Sequence, residues 1–400
     1  MLCYSSLVGF SSVYLQSVGC TNTELGAYFS VSSFLCVALQ GKIGSFLDNT
    51  KKWKCWDVVL ALDLITACIA LALFFAKGRL LVLVLFTLAC AICLTGFTCC
   101  ANFAMDYINS GYGFNYAVSR GIASFMMATS SLVLGYVIKI VGIRVIFPIY
   151  FVEQILLLIS LRTLPRLANP VKIFVEDRTD ANQEGRSETD QESRAETNQE
   201  NRIGGGYREF LSDKKWFLVL MISFLCIYMS YTGINNFLIV IVQNVGGDSQ
   251  TFGMASALAG YLELPATLLF TRAVKKFGMK KLLALSCFFF LCRVIAFTLA
   301  SNVWQVYLAE LLQFFSYCFF TSTSIYFVNA ILHKGDKFKG QSMLSIFTVG
   351  LSGVIVSFLS GVLIDIFDIT FLLKGLCYLT AVGLVGVLAV LRYIDKKQID

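Results

Sequence analysis

Residues 280–331 read KKLLALSCFFFLCRVIAFTLASNVWQVYLAELLQFFSYCFFTSTSIYFVNAI. Two apolar runs meet at Ser301 and Asn302, and each is long enough, at about 1.5 Å rise per residue, to cross a hydrocarbon layer of roughly 30 Å. Each run also holds one charge. Arg293 stands about 8 residues before the turn and Glu310 about 9 after it, which sets them roughly 12 and 13.5 Å deep on adjacent antiparallel helices. A charge at the centre of a spanning helix costs about 2.5–3.5 kcal/mol on insertion scales, so each needs a partner or a wet cavity. This hairpin predicts a polytopic membrane protein in which Arg293 and Glu310 pair.

The rest of the chain agrees. Of 400 residues, 57% are apolar, 14% aromatic and only 14% charged, with a mean hydropathy of +0.73. That balance excludes a soluble, disordered, collagen-like or disulfide-scaffold chain. The net charge of +7 does not point to nucleic acid, because Lys and Arg sit in short clusters between apolar runs, where membrane topology accounts for them. The 14 cysteines lie mostly inside those runs and read as small hydrophobes. Cys90 and Cys93 form a C-x-x-C with no second pair, so neither a redox nor a zinc site is expected. With the single histidine, His333, at a helix end, no metal or cofactor is expected either.

Twelve spans follow: about residues 1–18, 25–47, 56–76, 80–105, 116–139 and 144–162, then 216–243, 251–273, 280–300, 303–331, 341–363 and 370–392. Met1 falls directly into the first apolar run without a basic flank or cleavage site, which reads as a span rather than a signal peptide. The expected organisation is a six-helix bundle over 1–164, a linker over 165–215 and a second six-helix bundle over 216–400. Within the linker, 176–202 repeat an octapeptide (NQEGRSET, DQESRAET, NQENR) and have nothing to bury, so a flexible tether is expected. Fourteen basic residues lie in one set of short loops and ends and four in the other. By the positive-inside rule both termini and the linker face the cytoplasm, in the plasma (cytoplasmic) membrane.

Further polar residues lie in the spans. Glu263 sits about 18 Å below the start of its helix, with Pro265 beside it inviting a kink. Glu263, Arg293 and Glu310 form a candidate coupling network, in which buried carboxylates carry protons because no histidine relay is available. A structural ion pair that fixes helix register explains Arg293 and Glu310 as well. In the first half, Asn102, Asp106 and Arg120 surround the junction of the fourth and fifth helices. Asp63 and Glu153 are more isolated, and Asp63 is expected to pair with a neighbouring helix end. Tyr231, Asn235 and Asn236 in the seventh helix and Gln313 in the tenth suit a polar solute, since rings stack on sugar faces and amides bind hydroxyls. Interhelical hydrogen bonding accounts for the same residues.

Read together, these stretches resemble the major facilitator superfamily. Gly44-Ser45-Phe46-Leu47-Asp48-Asn49-Thr50-Lys51-Lys52 is similar to that family's G-x-x-x-D-(R/K) loop between its second and third helices. The resemblance implies that Gly44 and Asp48 form a gate clamp that leans on Lys51 or Lys52, since Asn49 stands where the family has its basic residue, with Arg272 to Gly278 as the counterpart in the second half. More narrowly, Arg120-Gly121-Ile122-Ala123-Ser124, the position of Arg293 and Gly340-Gln341-Ser342 resemble the branch containing lactose permease and phenylpropionate permease. That likeness implies solute contact by Arg120 and proton coupling by Arg293. The departures are equally specific. Glu310, Gln313 and Ser316 stand where lactose permease has its tenth-helix Lys, His and Glu, and Met127 replaces the tryptophan under the sugar ring, so lactose is not expected. The expected activity is proton symport of a small polar solute, a sugar or sugar-like metabolite, with no chemistry performed on it. Proton-driven export of amphipathic compounds is the second reading, and a non-transporting sensor or scaffold the third.

Overall fold

The computed structural model describes residues 2–49, 55–109, 116–163, 214–332 and 336–397, and these are helical with short turns. In hydrocarbon every backbone N–H and C=O must find a partner within its own segment, which leaves the helix as the spanning form for such a chain. Twelve helical rods result among the described residues. They are α1 (Ser11–Ser17, after a π-helical Tyr4–Gly9), α2 (Asn22–Asn49), α3 (Cys55–Phe75), α4 (Arg79–Asn109), α5 (Tyr116–Val141) and α6 (Ile146–Thr163). The second set comprises α7 (Lys215–Asn236, continued by Leu238–Asn244), α8 (Ser249–Phe277) and α9 (Met279–Leu299). It ends with α10 (Val303–Leu311, resuming as Tyr317–Ile331), α11 (Lys337–Ser345 and Ser352–Ile366 around a π-helical Ile346–Leu351) and α12 (Ile369–Lys397).

Ten rods, α3 to α12, are long and apolar enough to cross a membrane. The other two are the interrupted α1 and the more polar α2. Large apolar side chains point outward, among them Phe34, Phe75, Leu80 and Val382, each more than 60% exposed. Only lipid accepts such a surface. The expected linker lies outside the described residues except for Lys214 and Lys215. Pro265 does not interrupt its helix, which runs unbroken from Ser249 to Phe277.

Two pairs of rods join the bundles, α5 with α8 and α2 with α11. Small residues let their backbones approach. A Cβ on Gly253 would stand 2.6 Å from the Ser131 carbonyl oxygen, and one on Gly361 would stand 2.2 Å from that of Asn22. Neither fits, so glycine is required at both crossings. At one end of this seam, polar groups from opposite bundles meet. Lys139 Nζ lies 2.9 Å from Asp248 Oδ2 and donates to Gln250 Oε1 at 2.9 Å. Gln243 Nε2 donates to Gln16 Oε1 at 3.1 Å. Asp365, at the end of α11, accepts from the Thr23 N–H at 2.7 Å and the Asn22 N–H at 3.2 Å. A carboxylate of the second bundle thus caps the N-terminus of a helix in the first, where free N–H groups and the helix dipole favour an anion.

Candidate functional site

Arg293 and Glu310 meet as the depth count predicts. Arg293 Nη2 lies 2.9 Å from Glu310 Oε2, and the side chains are 1% and 0% exposed. The same nitrogen approaches Asn235 Oδ1 at 3.5 Å. The guanidinium stands 5.7 Å from the Tyr231 ring centre and 5.3 Å from that of Phe297, close enough for cation–π attraction. Arg293 Nε and Nη1 and Glu310 Oε1 nevertheless have no hydrogen-bond partner among the described residues. The pair is fully buried and incompletely satisfied by the protein groups around it, so its net contribution to stability is small or unfavourable compared with apolar packing.

Glu263 does not join that pair. Its Oε2 accepts from Ser124 Oγ at 2.7 Å, across the seam from α5. Arg120 stands close enough for its charge to act on Glu263 and on Tyr228 and Tyr317. The expected three-residue network is therefore two groups, Arg293 with Glu310 and Glu263 with Ser124 and Arg120. Aromatic rings fill the space between them. Tyr231 and Tyr317 stack with ring centres 4.0 Å apart and planes at 3°, and Tyr228 lies 5.3 Å from Tyr231.

The remaining candidates divide. Gln313 is 2% exposed, donates weakly to the Ala259 carbonyl at 3.5 Å, and has no partner for Oε1 among the described residues. Asn236 donates to Ser357 Oγ at 2.8 Å, a bond between α7 and α11 of one bundle. Arg272 is exposed near the end of α8. Gly278 follows that helix with φ +77°, a conformation that favours glycine, and its N–H bonds to the Val274 carbonyl. Gly44 and Asp48 lie in the last turns of α2, and Asn102 and Asp106 in those of α4. The side chains of these four, and Lys51 altogether, are outside the described residues, as is His333.

A cavity of about 410 Å³ opens inside the first bundle. Tyr4, Asp63, Cys93, Arg120 and Glu153 are in its wall, so Arg120 touches both the cavity and the seam. Glu153 accepts from Ser6 Oγ at 2.5 Å and Ser130 Oγ at 3.2 Å. Asp63 lines this cavity, its Oδ2 without a partner among the described residues. No cluster able to hold a metal is present among the described residues. The cysteines described are all free, with Cys90 buried among apolar residues. Sequence reasoning passed over Ser124, Tyr317, Ser357 and Asp365. Ser124 stands inside the quoted Arg120 motif, but only the three-dimensional seam shows what it faces.

The model of the MFS_1 like family matches residues 3–374. No curated protein matches the chain. Among solved structures, that of the nucleoside transporter NupG superposes with a TM-score of 0.75 at 14% identity, covering 97% of this chain and 95% of that one. A point mutant of the same transporter gives a TM-score of 0.75 at 13% identity, covering 97% and 96%. At such identities the likeness establishes the fold, two helical bundles joined along a seam. With nearly its whole length matched, the chain belongs to the MFS_1 like family, an integral membrane transporter of small solutes rather than an enzyme.

Proposed function

We propose that the chain carries a small polar solute with a ring face, a sugar or a sugar-bearing compound such as a nucleoside, in symport with protons. The organisation proposed is bundles over 1–164 and 216–400 joined by a cytoplasmic linker, with both termini cytoplasmic in the plasma membrane. In that orientation the seam is closed at its outer end. The solute meets Arg120, Glu263 and the tyrosines of α7 and α10 from the inner side, and the bundles rock about them. Asn102, Asp106, Asn235 and Gln313 contribute amide or carboxylate contacts, and Gly44, Asp48, Lys51, Arg272 and Gly278 gate the inner end.

One observation carries this reading. A carboxylate from the second bundle takes its hydrogen bond from the first, deep in hydrocarbon and beside a cation and aromatic faces. Glu263 is thus placed to register both the separation of the bundles and the arrival of a hydroxylated ring. A proton on it removes the charge and weakens its hold on Arg120. The superposed nucleoside transporter and the stacked tyrosines favour a solute with a flat ring over a plain disaccharide.

The test is uptake into proteoliposomes under an imposed proton gradient, with a panel of labelled nucleosides, monosaccharides and aromatic acids. Glu263→Gln and Glu310→Gln are each expected to abolish uphill accumulation while leaving solute exchange. Undiminished accumulation in either variant removes that residue from the coupling role. Accumulation by inverted vesicles that acidify their lumen would make the carrier an exporter instead.

A further inference from the structure

A second cavity, of about 600 Å³, lies on the α5–α8 seam at the closed end and includes Val133, Tyr136, Lys139, Asp248, Met254 and Tyr307 in its wall. It is separate from the residues assigned to the solute. Its depth follows from the helix ends. Asp248 is the residue before α8, and Lys139 lies in the last turn of α5. Tyr136 stands one turn further in, and Tyr307 one turn inside α10, where Trp304 beside it is 76% exposed. Aromatic rings and snorkelling charges collect at that level, the boundary between headgroups and hydrocarbon. Deeper in the wall, Val133 and Met254 are 52% and 41% exposed, so the cavity faces acyl chains rather than the interior of a bundle.

Its polar wall carries one charge of each sign, with Lys139 Nζ 2.9 Å from Asp248 Oδ2. Both side chains are about half exposed, and an isolated pair of that kind contributes little by itself. It does present a cation and an anion side by side at headgroup depth. We infer that this cavity holds a zwitterionic phospholipid whose headgroup ends in a primary amine, its phosphate on Lys139 and its ammonium on Asp248. Lys139 belongs to the first bundle and Asp248 to the second, so the bound headgroup ties them together across the seam. The lipid therefore favours the state closed at this end.

The probe is native mass spectrometry of the full-length protein with phosphatidylethanolamine, phosphatidylcholine or phosphatidylglycerol of matched chains. Phosphatidylethanolamine should be retained severalfold over either alternative, because its primary ammonium donates charge-assisted hydrogen bonds to Asp248 that choline, with no N–H, and the neutral glycerol headgroup do not offer. Asp248→Asn keeps a cap for the Thr251 N–H while removing the charge, and it should erase the preference. Lys139→Gln should weaken the retention of all three lipids, since each carries the phosphate, whereas Lys139→Arg should preserve both retention and preference. Equal retention of the three lipids overturns the assignment, as does a preference that survives Asp248→Asn. Displacement of the lipid by a transported solute would assign the cavity to the solute path and overturn it equally.

Discussion

At the residue scale the informative contrast is between two carboxylates within the spans. Glu310 is locked to Arg293 with no exposure, while Glu263 is partly buried and held by a serine of the other bundle. Removing Arg293 alone strands an anion, so Arg293→Met should lower stability by about 3–5 kcal/mol. Arg293→Met combined with Glu310→Leu should recover most of that loss, because an apolar pair of similar volume avoids the desolvation cost. Thermal unfolding and proteoliposome uptake of the single and double variants separate register from coupling. A stable double variant that still accumulates solute makes the pair structural. The pairing was legible because both residues flank one tight turn, so counting turns from Ser301 places them. The Glu263–Ser124 bond was not legible, since the register of α5 against α8 depends on which small residues touch, and no local spacing encodes it.

At the element scale the spans follow apolar run length, and the helices outrun them. The fourth reaches Asn109 and the twelfth Lys397, past the expected 105 and 392, because a helix continues into water after its apolar stretch ends. The interruptions ran against the usual punctuation. α10 breaks around Leu312–Phe314 and α11 loosens at Ile346–Leu351, neither with proline, while Pro265 sits in an unbroken helix. Glycine contacts set the α5–α8 crossing, and Gly253→Val should push a side chain into the Ser131 carbonyl and the Gly135 backbone. Overpacking of this kind costs about 1–3 kcal/mol. A lower unfolding temperature together with slower uptake is the expected result, and Gly96→Ala, with nothing within 4 Å of its Cβ, should leave both near wild type.

At the scale of the whole molecule, alternating access requires the closed end to open, so its contacts must be strong enough to hold and weak enough to release. Those between Asp365 and α2, and between Lys139 and Asp248, meet that demand as exposed charged groups on backbone N–H and amine donors. Partial burial raises the Asp248 carboxyl, but the Thr251 N–H and Lys139 outweigh it and hold the group below the usual aspartate value. A carboxyl depressed in this way stabilises the closed end above the ordinary aspartate pKa of about 3.9 and loses that contribution as pH falls through its own lower value. Neutral pH thus leaves this latch intact, and substitution rather than mild acid is the way to loosen it. Asp365→Ala removes a helix cap, a loss of about 0.5–2 kcal/mol, and Lys139→Ala removes the bridge between α5 and α8. In the double variant, hydrogen exchange should quicken in the first turn of α2, whose N–H groups lose the Asp365 carboxylate, and in that of α8, whose Asp248 cap loses Lys139. The far end of α8, near Gly278, has its N–H groups bonded within its own helix and should exchange as before. Acceleration spread evenly over both ends would mean that the bundles had loosened as a whole, and the rocking of the bundles about the central residues would fail.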